Sequence, residues 1–233
     1  MSKFKLGFIF CFWIVPILCN SQTLPGRKSI DSLLVIVKTA RQDTFQLNAL
    51  HQLGRYYLLR RFRANTPDLD SASGYFNEEV TLGEKTGVKE GSGWPEGLCS
   101  LGEVSLAKSQ FAQGKNCFMQ VLDYYNKAGN KKMAGKTLVR FGKTAAETVW
   151  SDRPANLLKE IMAAYEAAIA LFAASGAPGD EISVYTNMAA NHFIYGQFDD
   201  AEADCLRAMR KYPAKLHPEF IRLYYVFAHI QRY

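Results

Sequence analysis

Two tripeptides in the sequence end like a phosphate-binding loop, Gly135-Lys136-Thr137 and Gly142-Lys143-Thr144. Such a loop also needs a glycine five residues before its second glycine, so that backbone amides can wrap the phosphates. This chain has Asn130 and Thr137 at those positions. Both tripeptides also fall inside a predicted helix, where the amides are already hydrogen-bonded, so we expect no nucleotide-binding site.

The histidines and the paired aspartates form no catalytic or metal-binding pattern. Asp68 with Asp70, and Asp199 with Asp200, stand at predicted helix starts, where carboxylates cap backbone amides and favour the helix dipole. No nucleophile, base and oxyanion site come together, so we expect a protein that is not an enzyme and needs no metal or cofactor. The four histidines lack the spacing of a metal-binding helix such as HExxH; they are His51, His192, His217 and His229.

Residues 1–21 have the layout of a secretory signal peptide. Two lysines give a positive end, Leu6 to Leu18 is an apolar run of 13 residues, and small residues precede a cleavage site near Ser21. The run is shorter than the ~20 residues of a membrane-spanning helix. A retained membrane anchor is one alternative. A lipoprotein signal is another, disfavoured by Leu18 where a small residue is needed. We expect export to the periplasm or envelope, and a linker over residues 22–29.

Charge and cysteine content limit the choice of partner and fold. Loss of the signal, which holds two lysines and no acid, lowers the formal net charge from +6 to +4. An exported, weakly basic chain without a recognised motif is not expected to bind nucleic acid. The remaining cysteines share no metal-binding spacing and have apolar neighbours. We expect buried thiols, with a structural disulfide as the alternative: Cys99, Cys117 and Cys205.

The stretch from Tyr195 to Pro213 shows most clearly which helices the sequence forms and how they pack. Gly196 marks a tight turn, after which small and aromatic residues follow at helical intervals, so that one face of the helix is narrow and apolar. Asp199 with Glu202 is predicted to form a capping box at its start. A preceding helix, at about residues 181–195, can therefore lie close against it. The residues of the narrow face are Phe198, Ala201, Cys205 and Ala208.

A related pattern occurs three times earlier in the chain. Each copy has a first helix that contains a glycine and a second helix that contains an aromatic residue, and another glycine follows that aromatic by 11 residues. Glycine inside a helix costs about 1 kcal/mol against alanine, so we expect it to permit close approach of the second helix. The copies contain Gly54, Phe76 and Gly87; Gly102, Phe118 and Gly129; and Gly142, Tyr165 and Gly176.

No segment has the sustained alternation of apolar and polar residues typical of a strand, so the chain is predicted to be all-α. One more apolar helix is predicted between His217 and Tyr233, with no second helix to cover it. Because a terminal repeat normally presents a polar outer face, this helix indicates an inward-packed cap, a chain cut from something longer, or a docking surface.

These spacings resemble the tetratricopeptide repeat (TPR), a helix-turn-helix unit that stacks into solenoids. The resemblance covers about residues 30–233. It implies an all-α, right-handed solenoid of antiparallel helix pairs, with about four TPR-like repeats plus flanking helices. It also implies a general role as a binding scaffold, without indicating a ligand.

The resemblance places a binding groove on the concave face, which the first helices line. The implied residues are mixed in charge and lack the repeated basic and amide side chains of a carboxylate clamp. Carried over position by position, they are Asn48, His51, Arg55, Leu58, Glu96, Cys99, Glu103, Leu106, Lys136, Val139, Lys143, Glu147, Ser183, Thr186 and Phe193.

The segment from Ile30, IDSLLVIVKTARQDTFQLNALHQLG, also looks like the opening of exported bacterial TPR proteins, many of which continue into a two-component sensor kinase or a DNA-binding output. The chain has no phosphoacceptor-helix or nucleotide-binding glycine motif. Two functions follow as hypotheses. The first is a non-enzymatic scaffold in the cell envelope that binds a peptide or protein segment in its groove. The alternative is the input domain of a truncated signalling protein that binds a small molecule, or a hydrolase with an unrecognised site.

Overall fold

The computed structural model describes residues 27–39, 44–60, 67–88, 93–148, 155–212 and 218–232, and within these ranges every regular element is an α-helix. The predicted signal peptide lies outside the described residues. The first helix begins at Arg27, inside the predicted linker. The helices are α1 (Arg27–Thr39), α2 (Thr44–Arg60), α3 (Pro67–Thr86), α4 (Trp94–Ala107), α5 (Phe111–Lys127), α6 (Lys131–Thr148), α7 (Ala155–Ser175), α8 (Pro178–Ile194), α9 (Phe198–Lys211) and α10 (Glu219–Ile230).

The described helices pair along the chain as the repeat pattern predicts. α2 packs on α3, α4 on α5, α6 on α7 and α8 on α9, and each second helix also contacts the first helix that follows it. α1 packs against α2 at one end, and α10 packs against α8 and α9 at the other. The predicted all-α, right-handed solenoid of four repeats with flanking helices is confirmed. None of the described helices is both long and apolar enough to cross a bilayer.

Glycines in three of the first helices receive the aromatic side chain of the second helix. The three rings are fully buried. A methyl group at any of these glycines would overlap the ring, so the close approach that the sequence predicts is confirmed. An added Cβ would lie 2.4 Å from Phe76 at Gly54, 2.7 Å from Phe118 at Gly102, and 2.6 Å from Tyr165 at Gly142.

The fourth helix pair, α8 and α9, uses a different combination of sizes. Ala189 stands where the other first helices have glycine, and Cys205 stands where the other second helices have an aromatic residue. Both side chains are fully buried in the same apolar core. A larger residue on the first helix is thus matched by a smaller one on the second, which keeps the interior filled without overlap.

Each described repeat contains a glycine with a left-handed backbone. Gly87, Gly129 and Gly176 follow the second helices with φ of 69°, 67° and 65°, and Gly196 lies between α8 and α9 with φ of 76°. Glycine adopts this conformation without steric cost, whereas a side chain opposes it. The repeat ends predicted from the spacing of aromatic and glycine residues are therefore confirmed.

The capping box predicted for α9 is wrong. The helix begins at Phe198, Gln197 occupies the N-cap position, and no side chain caps the helix there. The Phe198 ring instead contacts Phe193 of α8, with ring centroids 5.5 Å apart, so apolar contact holds the start of the helix. Asp199 and Asp200 fall in the first turn, where their charge favours the helix dipole.

One large apolar core extends from α4 to α10, while smaller clusters hold α1, α2 and α3 together. Val104 of α4 belongs to one of these smaller clusters and links the two regions. The three cysteines within the described residues are buried free thiols, as predicted: Cys99, Cys117 and Cys205.

Candidate groove on the first helices

The first helices form a continuous row. α2 contacts α4, α4 contacts α6, α6 contacts α8, and α8 contacts α10. In the described part of the chain, the second helices make no contacts of comparable extent with one another. The first helices therefore form the inner side of the solenoid, where the TPR resemblance places the groove.

The residues implied for the groove differ in how far they reach the surface. All of them lie on α2, α4, α6 or α8. Two are exposed, namely Asn48 and Lys136. Those that are partly buried are His51, Arg55, Glu96, Val139, Lys143, Glu147, Ser183 and Phe193. Those that are buried are Leu58, Cys99, Glu103, Leu106 and Thr186.

Arg140 of α6 is the centre of a polar cluster that spans two repeats. Its Nε donates to Oε1 of Glu103 at 2.5 Å and its Nη1 to Oε1 of Glu96 at 2.6 Å, both on α4. Its Nη2 donates to Oγ of Ser100 at 2.9 Å. Three donors of one guanidinium thus fix α6 against α4, an arrangement that the planar geometry of arginine favours.

The polar cluster continues into the first repeat. Arg55 of α2 donates from Nη1 to Oε2 of Glu103 at 2.5 Å, so that Glu103 joins two arginines from opposite sides. His51 of α2 lies 3.1 Å from Oε2 of Glu79 on α3 through Nδ1, and 3.9 Å from Oε1 of Glu96 through Nε2. Side chains from α2, α3, α4 and α6 therefore form one connected cluster.

Burial changes the proton affinities of this cluster. Burial acts to lower the pKa of Arg140, but the carboxylates of Glu103 and Glu96 outweigh it and hold that pKa above its usual value. Burial raises the pKa of Glu79, whose Oε1 has no hydrogen-bond partner in the described structure, and the His51 ring opposes that rise. Burial also raises the pKa of Cys99 to about 12, which keeps this thiol protonated and unreactive.

The cluster changes the charge that the inner face presents. Glu96 and Glu103 are paired with arginines of the chain itself. Lys136 and Lys143 lie on α6, one turn on either side of Arg140, and neither makes an ion pair within the described residues. With Glu96 and Glu103 paired, the two lysines of α6 outnumber Glu147, the remaining acid among the implied groove residues, which is partly buried on the same helix.

The groove positions on α8 are more apolar. The hydroxyl of Thr186 is buried and donates to the carbonyl oxygen of Ile182, and Phe193 packs on Phe198. Polar pairs at this end join α8 to α9 instead of joining first helices, since His192 Nδ1 lies 2.8 Å from Oδ2 of Asp204. The inner face thus divides into a basic part on α6 and a less polar part on α8.

The sequence pattern places Glu96, Glu103, His51 and Arg55 on the inner face but does not include Arg140. The TPR pattern carries over a fixed set of positions on each first helix, and Arg140 is not one of them. No charge pattern in the sequence marks Arg140, because Gln52, Ser100 and Asn187 stand at its position in the other first helices. The described residues contain no group of three His, Cys, Asp or Glu side chains that could hold a metal ion.

No protein-family model matches the chain, and no curated protein matches it. Solved protein structures, in contrast, do match the chain. A putative kinesin light chain with nearly identical TPR-like repeats from Podosopora anserina aligns with a TM-score of 0.54 at 14% identity, over 88% of this chain and 87% of that one. The fold is TPR-like. BtubC (BKLC) from P. vanneervenii aligns to this TPR-like solenoid with a TM-score of 0.56 at 12% identity, over 88% of this chain and 82% of that one.

Proposed function

We propose that the chain is a non-enzymatic scaffold that binds a peptide or protein segment along the inner face of its first helices. The TPR-like fold supports this proposal, because such solenoids present extended concave surfaces to their partners. The observation that carries it is the basic surface on α6. Lys136 and Lys143 project from the row of first helices, whereas the nearby acids Glu96 and Glu103 are already paired within the protein.

The charge on α6 favours an acidic segment as the ligand. Arg140 keeps its charge but pairs with Glu96 and Glu103, so Lys136 and Lys143 are the cations of the described α6 helix that can meet carboxylates of a partner. Complementary charge raises the association rate and selects among partners more than it raises affinity. We therefore expect binding that weakens as salt concentration increases.

We also propose that the protein acts outside the cytoplasm, at the cell envelope. The support is the signal-like sequence of residues 1–21. Fractionation of cells that express the full chain tests this location. Mature protein that begins near residue 22 in the periplasmic or envelope fraction is expected, and an uncleaved chain in the cytoplasm contradicts it.

A peptide-binding experiment tests the groove. The chain from residue 22, which contains every residue that the structure describes, is probed with arrays of acidic, neutral and basic peptides, followed by fluorescence anisotropy on the strongest binders. Lys136→Glu combined with Lys143→Glu is expected to raise the dissociation constant for acidic peptides by about tenfold, which corresponds to about 1.4 kcal/mol of binding free energy. Lys159→Glu is the matched control, since Lys159 is an exposed lysine on the second helix α7.

Equal loss in the Lys159→Glu control contradicts groove binding, and so does a chain that binds no peptide class. The alternative function, an input domain that binds a small molecule, is predicted from the sequence. A thermal-shift screen with metabolites tests it. Saturable stabilisation by a metabolite, with no response to peptides, favours that alternative over the scaffold.

A further inference from the structure

Arg140 lies in the middle of the basic part of the inner face. Lys136 precedes it by four residues and Lys143 follows it by three, so the three cations share one face of α6. At a rise of about 1.5 Å per residue, the two lysines are roughly 10 Å apart along the helix, with Arg140 between them. A carboxylate of an acidic segment that lies along the two lysines therefore comes close to Arg140.

The three acceptors that Arg140 binds are not held equally. Glu103 accepts from Nε and also from Arg55, and its side chain is 11% exposed. Ser100 accepts from Nη2 and is fully buried. Glu96 accepts from Nη1 through Oε1, makes no other hydrogen bond in the described structure, and has a side chain that is 34% exposed. Glu96 is therefore the partner of Arg140 that a carboxylate from solution can replace.

The guanidinium also has N–H groups that no acceptor in the described structure uses. It carries five N–H groups, and three of them form hydrogen bonds. Because Nε has a single hydrogen, the two others belong to Nη1 and Nη2. Departure of Glu96 leaves two donors on Nη1 and one on Nη2. A ligand carboxylate can then bind at two points, in place of the single hydrogen bond to Glu96.

His51 offers Glu96 a second position. Nε2 of His51 lies 3.9 Å from Oε1 of Glu96, and Nδ1 lies 3.1 Å from Oε2 of Glu79. Burial raises the pKa of Glu79, so this carboxyl group keeps its proton to a higher pH. In its protonated form it donates to Nδ1, which leaves the ring hydrogen on Nε2, next to Glu96. Glu96 can therefore exchange Arg140 for His51 and still have a hydrogen-bond donor.

We propose that Arg140 is a carboxylate-binding centre of the groove, that Glu96 occupies this centre in the free protein, and that a carboxylate of an acidic peptide displaces Glu96 toward His51. Glu103 and Ser100 stay bound to Arg140 during the exchange, so α6 remains fixed against α4. Arg140 then joins the two neighbouring lysines in contact with the peptide. This inference rests on the proposed function, because it assigns a contact that an acidic segment makes in the groove.

Binding of a labelled hexaglutamate peptide with blocked ends tests the displacement. Fluorescence anisotropy on the chain from residue 22 compares the wild type with Glu96→Gln, which leaves Arg140 with a neutral and weaker acceptor. We expect the dissociation constant to fall by about tenfold, because a ligand carboxylate competes better with a neutral acceptor than with a charged one. Circular dichroism establishes that every variant keeps its helix content. Equal tightening for hexaglutamine, which has no carboxylate, overturns the proposal.

Glu147→Gln is the matched control for charge. Glu147 is also a partly buried acid implied for the groove, one turn beyond Lys143 on α6, but it is not a partner of Arg140. Loss of its charge changes the electrostatic potential of the groove, and we expect the dissociation constant to fall by about threefold or less. An equal fall in Glu96→Gln and Glu147→Gln overturns the displacement, because removal of either acid would then act through the potential alone.

Arg140→Lys tests whether the gain in affinity depends on the guanidinium. Lysine keeps the positive charge but lacks the planar fork that binds a carboxylate at two points. In the Arg140→Lys background, Glu96→Gln is expected to lower the dissociation constant by less than about threefold, since the two residues act through one contact. A gain in that background as large as in the wild type overturns the proposal.

The outcomes distinguish this inference from the proposed function. Equal dissociation constants for the wild type and Glu96→Gln, with acidic peptides of the array still bound, overturn the displacement and leave the groove proposal intact. Binding of hexaglutamate by Glu96→Gln alone supports both. Failure of both proteins to bind hexaglutamate or any peptide of the array overturns the displacement and contradicts the groove proposal as well.

Discussion

Gly102 in the middle of α4 shows how the absence of one methyl group sets the distance between two helices. A Cβ there would lie 2.7 Å from Cε2 of Phe118 and 3.1 Å from the carbonyl oxygen of Gly114 on α5. Gly114 is equally confined, since its own Cβ would lie 2.9 Å from the carbonyl oxygen of Gly102. The two glycines therefore let the backbones of α4 and α5 approach each other directly.

Gly102→Ala is expected to destabilise the protein by about 1–2 kcal/mol. Overpacking of a filled core costs about 1–3 kcal/mol, and the gain in helix propensity, up to about 1 kcal/mol, offsets part of it. Gly74→Ala in α3 is the control, because a Cβ at Gly74 meets nothing within 4 Å, and it is expected to stabilise by up to about 1 kcal/mol. Urea unfolding measures both. Stabilisation by both substitutions would contradict the role of Gly102 in packing.

Glu79 is expected to make stability depend on pH. Burial raises the pKa of its carboxyl group in the folded protein above that of the unfolded chain, which is about 4.3. The folded state therefore holds a proton that the unfolded state releases, and the stabilisation present below the unfolded pKa is lost as pH rises through the folded pKa. Glu79→Gln keeps the side chain neutral at every pH.

The free energy of unfolding of the wild type minus that of Glu79→Gln should fall as pH rises from the unfolded pKa, about 4.3, through the raised pKa of folded Glu79. Chemical unfolding at a series of pH values gives this difference. Glu78→Gln removes a carboxylate from the exposed side of the same helix and serves as the control. A difference that increases with pH would mean that His51 holds Glu79 in its charged form, contrary to the dominant effect of burial.

At the scale of the elements, Arg140 joins α6 to α4 and, through Glu103, to α2. This contact is little exposed, with 22% of the Arg140 side chain and 11% of the Glu103 side chain open to solvent. Removal of one member from such a pair leaves the other charge buried without compensation, which is more costly than the loss of a surface ion pair. The cluster therefore fixes how successive first helices stack.

Arg140→Met is expected to destabilise the protein by up to about 3 kcal/mol, since Glu96 and Glu103 lose a shared cation while Arg55 continues to pair with Glu103. Arg207→Met provides the comparison, because Arg207 pairs with Glu166 where 41% and 47% of the two side chains are exposed. That loss is expected to cost less than about 1 kcal/mol. Thermal and urea unfolding separate the two cases, and equal effects would show that Arg140 is only a surface contact.

The helix pairs could be predicted from the sequence because their determinants are local. An aromatic residue, a terminal glycine at a fixed spacing, and a glycine inside the preceding helix each follow from steric rules that act within one repeat. The start of α9 was predicted less well, since Asp199 and Glu202 fit a capping pattern and the contact of Phe198 with Phe193 depends on tertiary packing. Tertiary contacts commonly override such local signals.

At the scale of the whole molecule, the charge that the groove presents to solvent could not be predicted from the sequence. Glu96 and Glu103 look available along the chain, and only the folded arrangement shows that Arg140 and Arg55 pair with them. The position of Arg140 depends on how two repeats stack, which no single repeat encodes. An apolar helix without a second helix is visible in the sequence, and α10 both packs inward through one face and exposes apolar residues on the other.

The ion pairs that join Arg55 to Glu103 and Glu103 to Arg140 also restrict how such a repeat array can be rearranged by duplication or recombination. The first three helix pairs, or modules, share the same left-handed glycines and the same glycines packed against an aromatic ring. The glycines alone would therefore allow these modules to exchange positions. The charged residues do not allow this exchange, because Lys143 on α6 occupies the repeat position that Glu103 holds on α4. Exchange of the second and third modules would set Lys143 beside Arg55. The charges therefore oppose exchange of the second and third modules, although the glycines allow it.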